Sequence, residues 1–231
     1  MEDRRLLERR DGGDLESKVA RIAHEFLEGF EAVGRIDRPA VSVFGSARVP
    51  EDDPLFAQAI EVGRRLAEAG FAVVTGGGPG LMEAANRGAH EAGGLSIGFN
   101  IDLPHEQHEN PYLDISVTFH HFYARKTMFV KAAEGFVILP GGFGTLDELF
   151  ESLTLIQTGK VMHFPVVLLG RDHWEGLLDW ARERLLEHGL VSPDDVERLH
   201  LTDDVGEAVE LISSATSAAA LTGLRRRSNP S

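Results

Sequence analysis

Pro140-Gly141-Gly142-Phe143-Gly144-Thr145-Leu146-Asp147-Glu148 sets three glycines, a hydroxyl and a carboxylate directly behind the β-branched apolar run Val137–Leu139. Glycines at such a turn permit unusual backbone angles and let a ligand come close to bare N–H groups. A helix opening at Thr145 leaves its first N–H groups unpaired and carries partial positive charge, which suits an anion such as a phosphate. A structural reading competes: Thr145-x-x-Glu148 fits the capping box, and Asp147, Glu148 and Glu151 favour the helix dipole. Capping uses Thr145 and Glu148 but has no need of Gly141, Gly142 and Gly144 together. A carboxylate within one turn of a bound phosphate is electrostatically unfavourable, so phosphate binding alone does not call for Glu148. That mismatch points to chemistry.

Phe122–Lys131 carries the densest cationic signal. Arg125 lies three residues from Phe122 and Met128 and four from Phe129, on the apolar stripe of its helix. A guanidinium placed there needs an anion or a set of acceptors, because an unpaired buried charge is costly. Two partners are open: a core carboxylate, in a structural ion pair, or a bound phosphate or reacting sugar. Lys126, one step round the helix, suits either role.

These residues must be positioned by alternating strands and helices. Strands are expected at 40–47, 71–75, 95–99, 114–119, 136–139 and 165–169. Helices are expected at 14–33, 56–69, 81–92, 120–133, 145–158, 174–187, 193–198 and 205–212. The strands read as apolar on both faces, which means a parallel sheet covered on both sides. The expected fold is α/β, a single-domain, Rossmann-like, doubly wound parallel sheet over residues 14–212, the first helix included. Residues 1–13 read as a flexible tail and 213–231 as a disordered one. Ligands bind such sheets outside the carboxyl ends of the strands, where the strand order reverses. Gly45-Ser46, Gly76–Gly80 and Gly141–Thr145 each follow a strand, so all three should share one edge.

Composition removes several functions. The chain has 231 residues, no cysteine and a formal net charge of −14. Disulfides, cysteine nucleophiles and cysteine-bound zinc are excluded. The acidic balance argues against nucleic acid as a partner, and no apolar run is long enough for a membrane span. The N-terminus lacks the apolar core of a signal peptide, so a cytoplasmic protein is expected. His105-Glu106-Gln107-His108-Glu109 is not HExxH, and no metal is expected. Neither Ser46 nor Thr145 has an evident histidine partner for a hydrolase triad. None of the four lysines sits where a pyridoxal phosphate Schiff base is suggested, and no cofactor is implied. The segment Phe44–Ala47 does not match GxGxxG, which lowers the case for NAD.

Pro140–Glu148 resembles the PGGxGTxxE signature of the LONELY GUY family of cytokinin riboside 5′-monophosphate phosphoribohydrolases, whose members were often labelled lysine decarboxylases. Gly76-Gly77-Gly78-Pro79-Gly80-Leu81-Met82 is similar to the family's second motif, Phe44-Gly45-Ser46 to its first loop, and Arg125-Lys126 to the basic pair between them. The longer N-terminal helix and the Gly-Leu-Met-Glu-Ala-Ala-Asn version of the second motif resemble the longer bacterial subtype. The resemblance implies cleavage of the N-glycosidic bond of a nucleoside 5′-monophosphate, releasing free base and ribose 5-phosphate. It implies Arg125 and Glu148 as the catalytic pair. Gly141, Gly142, Gly144 and Thr145 would hold the phosphate with Ser46, Met82 and Glu83 would lie near base and ribose, and Gly45, Gly77 and Lys126 would also bind the substrate. It also implies a homodimer or higher homo-oligomer. A non-catalytic nucleotide or phosphorylated-cofactor carrier on the same scaffold is the rival, since fold does not fix function.

Overall fold

The computed structural model describes residues 15–103, 108–161 and 164–227. The 1–13 tail and residues 104–107, which hold the start of the His105–Glu109 run, lie outside them. Helix α1 (Leu15–Gly34) precedes β1 (Ala40–Phe44), α2 (Pro54–Glu68), β2 (Ala72–Thr75), α3 (Leu81–Glu91) and β3 (Ser96–Ile101). Then come β4 (Ile115–Phe119), α4 (Phe122–Ala132), β5 (Phe136–Ile138), α5 (Phe143–Gln157) and β6 (Val166–Leu169). Helix α6 (Arg171–Trp180) continues as a π-helical turn over Ala181–Leu186, followed by α7 (Pro193–Glu197), β7 (Leu199–Thr202) and α8 (Val205–Arg227).

The seven strands form one sheet in the order β4-β3-β2-β1-β5-β6-β7, and every neighbouring pair is parallel. The chain winds outward from β1 to one edge, returns beside β1 as β5, and winds outward to the other. This is the doubly wound α/β fold. Its order reverses between β1 and β5, paired in the register Ser42–Phe136, Val43–Val137, Phe44–Ile138.

Alternation along the strands separates two cores. Val41, Val43, Val137 and Val167 pack with Phe56, Val62, Leu66, Leu81, Ala85 and Ile212 from α2, α3 and α8. Phe44, Val74, Phe136 and Ile138 face the other way, against Ala32, Met128, Phe129, Leu149, Ile156 and Trp174 from α1, α4, α5 and α6. Each such fully buried side chain contributes about 1.5–3 kcal/mol. Residues at the carboxyl ends of β1 and β5 are therefore fixed from both sides.

Three local expectations are corrected. Helix α5 opens at Phe143, not Thr145; Gly142 is its N-cap, and no side chain caps it. Thr145 and Glu148 thus lie in the first and second turns of the helix and form no capping box. The four-residue edge strand β7 is too short to show a period and was not expected; it pairs with β6 alone. The last helix passes Ile212 and runs to Arg227 instead of ending in a disordered tail. Ser213 and Thr216 satisfy their hydroxyls inside it by donating to the carbonyls of Val209 and Ile212, and the alanines that follow favour helix.

Candidate functional site

The three loops at the carboxyl ends of β1, β2 and β5 meet through one residue. The Ser46 N–H donates to Pro140 O at 3.1 Å, and the Ser46 carbonyl accepts from Leu81 N at 2.9 Å. Close approach at this joint depends on Gly80, whose φ is +69° and whose added Cβ would lie 2.5 Å from Ser46 O. The loops enclose one side of a cavity of about 590 Å³, and α4 and α5 close the other.

Of the sequence-derived candidates, Gly45, Ser46, Met82, Arg125, Gly142, Gly144, Thr145 and Glu148 line this cavity. Gly77, Glu83, Lys126 and Gly141 do not. Gly77 supports its loop from behind, its N–H bonded to Thr75 Oγ1 at 2.9 Å. Glu83 lies on the outward side of α3, where burial and the neighbouring Glu51 raise its pKa. Lys126 is held at 2.9 Å by Asp147 and at 2.7 Å by Glu151. Gly141 leaves room for Thr145, whose Oγ1 would be 2.1 Å from an added Cβ.

Gly142 and Gly144 differ from Gly141. Among the described residues, nothing beyond the adjoining backbone lies within 4 Å of a Cβ built on either, and neither has a positive φ. The protein's own packing does not require glycine at these positions. What their missing side chains open is the cavity, at an uncapped helix N-terminus.

Arg125 projects from the first turn of α4 across the ends of β2 and β3. Its Nε donates to Phe99 O at 2.7 Å and its Nη2 to Gly76 O at 3.3 Å, with the Phe129 ring 5.2 Å beneath. No core carboxylate pairs with it; the set of acceptors it needs is two backbone carbonyls. Burial lowers its pKa to about 10, opposed by the charge of Glu148, so it remains a cation at neutral pH. Its Nη1 has no protein acceptor among the described residues.

Glu148 is 8% exposed. Burial is the largest influence and pushes its pKa to about 7; Lys126 and Arg125 pull it down, and Glu151 and Asp147 push it up. Among the described residues nothing hydrogen-bonds its carboxyl group. A carboxyl that titrates near neutrality in a cavity is suited to general acid–base work.

Several lining residues escaped the sequence reading as site residues. Arg48 lines the cavity, its N–H bonded to Ser46 Oγ at 3.1 Å, and no acidic partner for its guanidinium is found among the described residues. An arginine two residues past a Gly-Ser turn in an acidic chain was the available signal. Ile101, Leu103, Phe122, Phe143 and Leu146 supply an apolar wall, and Phe143 is 92% exposed at the mouth.

The reversal of a doubly wound sheet, glycine-lined and holding a buried arginine and a near-neutral carboxyl, defines a Rossmann-like α/β protein with its cavity at the switch point. Residues 82–212 match the family model described as "Possible lysine decarboxylase". The chain is 33% identical over 175 residues to the cytokinin riboside 5′-monophosphate phosphoribohydrolase of Mycobacterium tuberculosis, covering 73% of this chain and 90% of that protein. It is 30% identical over 190 residues to a probable enzyme of the same name from Oryza sativa, covering 81% and 80%. Among solved structures, the molybdenum cofactor carrier protein of Chlamydomonas reinhardtii is similar at a TM-score of 0.59 and 26% identity, covering 78% of this chain and 99% of that one. The chain belongs to the LONELY GUY family.

Proposed function

We propose that the protein hydrolyses the N-glycosidic bond of adenosine 5′-monophosphates, N6-substituted or not, releasing free base and ribose 5-phosphate. The observation that carries this reading is Glu148, a buried carboxyl with a pKa near 7 in the same cavity as an uncapped helix N-terminus. The phosphate sits against the first turn of α5, beside Gly142, Gly144, Thr145 and Ser46, with Arg48 as its counter-charge. This places the ribose at Glu148 and the base against Met82, Leu103 and Phe122. As the C1′–N bond breaks, its electron pair leaves with the base and positive charge grows on the sugar, which the Glu148 carboxylate stabilises. Glu148 then accepts a proton from the water that adds to C1′ and passes it to the departing base, which leaves neutral and returns Glu148 to the carboxylate. Arg125, fixed by two carbonyls, offers Nη1 to the substrate. No metal and no cofactor enters this scheme.

The resemblance to a cofactor carrier makes a non-catalytic nucleotide or phosphorylated-cofactor carrier the rival. A carrier of phosphorylated ligands has no use for a near-neutral carboxyl beside the phosphate. The Glu148→Gln variant separates the two: the hydrolase loses turnover and keeps nucleotide binding, whereas a carrier turns over in neither form. The decarboxylase label has less support, because no lysine is among the residues that line the cavity. The substrate is a cytoplasmic metabolite in this reading, and no described helix is long and apolar enough to cross a membrane. A homo-oligomer belongs to the same proposal. Leu15, Val19, Leu27 and Phe30 form an exposed apolar stripe on α1 that suits a second copy, and light scattering decides it.

A further inference from the structure

Helix α1 carries a carboxylate in an unusual place. Glu25 is 4% exposed. Its Oε2 accepts the N–H groups of His120 and His121 at 3.2 and 3.1 Å, and its Oε1 lies 2.7 Å from His121 Nδ1. His121 is the N-cap of α4, and its own side chain makes no cap bond. The start of α4 is therefore held by a residue 96 positions earlier in the chain. One turn further along, Gly29 lets α1 lie directly on Met128, whose Cγ would be 2.7 Å from a Cβ at that glycine.

His121 and Met128 flank Arg125 at i−4 and i+3, on the same side of α4. The contacts of α1 thus fall on the turn before Arg125 and the turn after it. Arg125 meets two carbonyls at the sheet end, so a small slide of α4 along α1 would carry its guanidinium off both. The N-terminal helix is in the right place to prevent that slide.

We propose that Glu25 is a positioning residue for Arg125, and that α1 is thereby part of the reaction apparatus. The catalytic half of this inference rests on the proposed hydrolase reading; the geometric half does not. A buried carboxylate with three donors at another helix's N-cap holds that helix in register, and positioning errors of an ångström at a reacting group cost about a hundredfold in rate.

The test uses full-length Glu25→Ala and Glu25→Gln with two readouts. The first is the carboxyl titration of Glu148 in protein labelled with ¹³C-glutamate, assigned by its loss in Glu148→Gln. Glu148 faces Arg125 and Lys126 from α4 and Asp147 and Glu151 from its own helix. Withdrawing the two α4 cations moves its midpoint up, by about half a unit or more in Glu25→Ala and less in Glu25→Gln. The second is turnover of AMP, where kcat falls about tenfold or more and KM changes by less than about threefold. A variant with a lowered Tm but the wild-type midpoint and kcat overturns the proposal, since Glu25 is then a stability residue only. A moved midpoint in a protein whose wild type shows no turnover upholds the positioning of Arg125 and refutes the hydrolase reading. If Glu25→Ala does not fold, Glu25→Gln decides alone by the same criteria.

Discussion

Gly144→Ala separates a glycine kept for the fold from one kept for a ligand. Gly144 is the second residue of α5, its φ is not positive, and a Cβ there meets nothing within 4 Å. Alanine in such a position stabilises by about 0.4–1 kcal/mol, through better helix propensity and a less flexible unfolded chain. For a chain of this size that raises Tm by about 1–4 °C. The same methyl projects into the cavity, over the N–H groups offered to the phosphate. Displacing the phosphate far enough to lose one charge-assisted hydrogen bond costs about 1.5–3 kcal/mol, or roughly 10- to 100-fold in affinity. The assay pairs thermal unfolding with calorimetric titration of AMP and of adenosine. The expected result is a more stable protein that binds AMP weakly and adenosine as before. Unchanged AMP affinity would refute the placement of the phosphate at this turn, and a less stable protein would refute the account of why glycine is there.

Four other outcomes follow from the same geometry. The folded-state pKa of Glu148 lies above its ordinary 4.5, so stability falls as pH rises from about 4.5 through about 7, and the full penalty is present above that window. Glu148→Gln has no such penalty and should be more stable than wild type at pH 8 by about 2–3 kcal/mol in denaturant melts, an advantage that disappears near pH 4. Because the carboxylate form is the active one, kcat/KM, which reports the free enzyme, should rise with pH through about 7 in a pH–rate profile. Lys126→Met leaves Asp147 and Glu151 uncompensated beside Glu148, which should move that limb upward by about half a unit or more, with AMP binding largely kept. Arg48→Gln should weaken AMP and inorganic phosphate in calorimetric titrations by about tenfold or more and leave adenosine unaffected.

The fold was legible because strands and helices alternate with clear periods and because three strand ends carry glycines. A parallel sheet sends all such ends to one edge, so Gly45-Ser46, Gly76–Gly80 and Gly141–Thr145 had to meet. The order of the strands, and hence the reversal between β1 and β5, is not encoded in local periodicity. Arg125 stood out as a charge on an apolar stripe and Glu148 as a carboxylate beside an anion-binding turn, and both line the cavity. Lys126 and Glu83 did not reach it, because a step of one residue on a helix turns a side chain by about 100°. In Lys126 that turn leads to Asp147 and Glu151; in Glu83 it leads to the outer side of α3. Arg48 was missed because a loop has no period from which to read direction. Glu25 was missed for a different reason: its partners lie 95 and 96 residues away, and nothing in α1 itself marks that one glutamate as buried. The extent of α8 was misread because small polar residues were taken for a disordered tail when the hydroxyls of Ser213 and Thr216 return to the helix's own carbonyls.

The central claim is that Glu148 performs chemistry on a bound nucleotide. The most direct measurement incubates wild type and Glu148→Gln with AMP and with an N6-isopentenyl-AMP, follows free base by chromatography, and measures nucleotide binding to both proteins. The account predicts release of base by wild type alone, with binding preserved in the variant. Binding of nucleotide without release of base from either substrate by wild type would contradict it and identify the protein as a carrier.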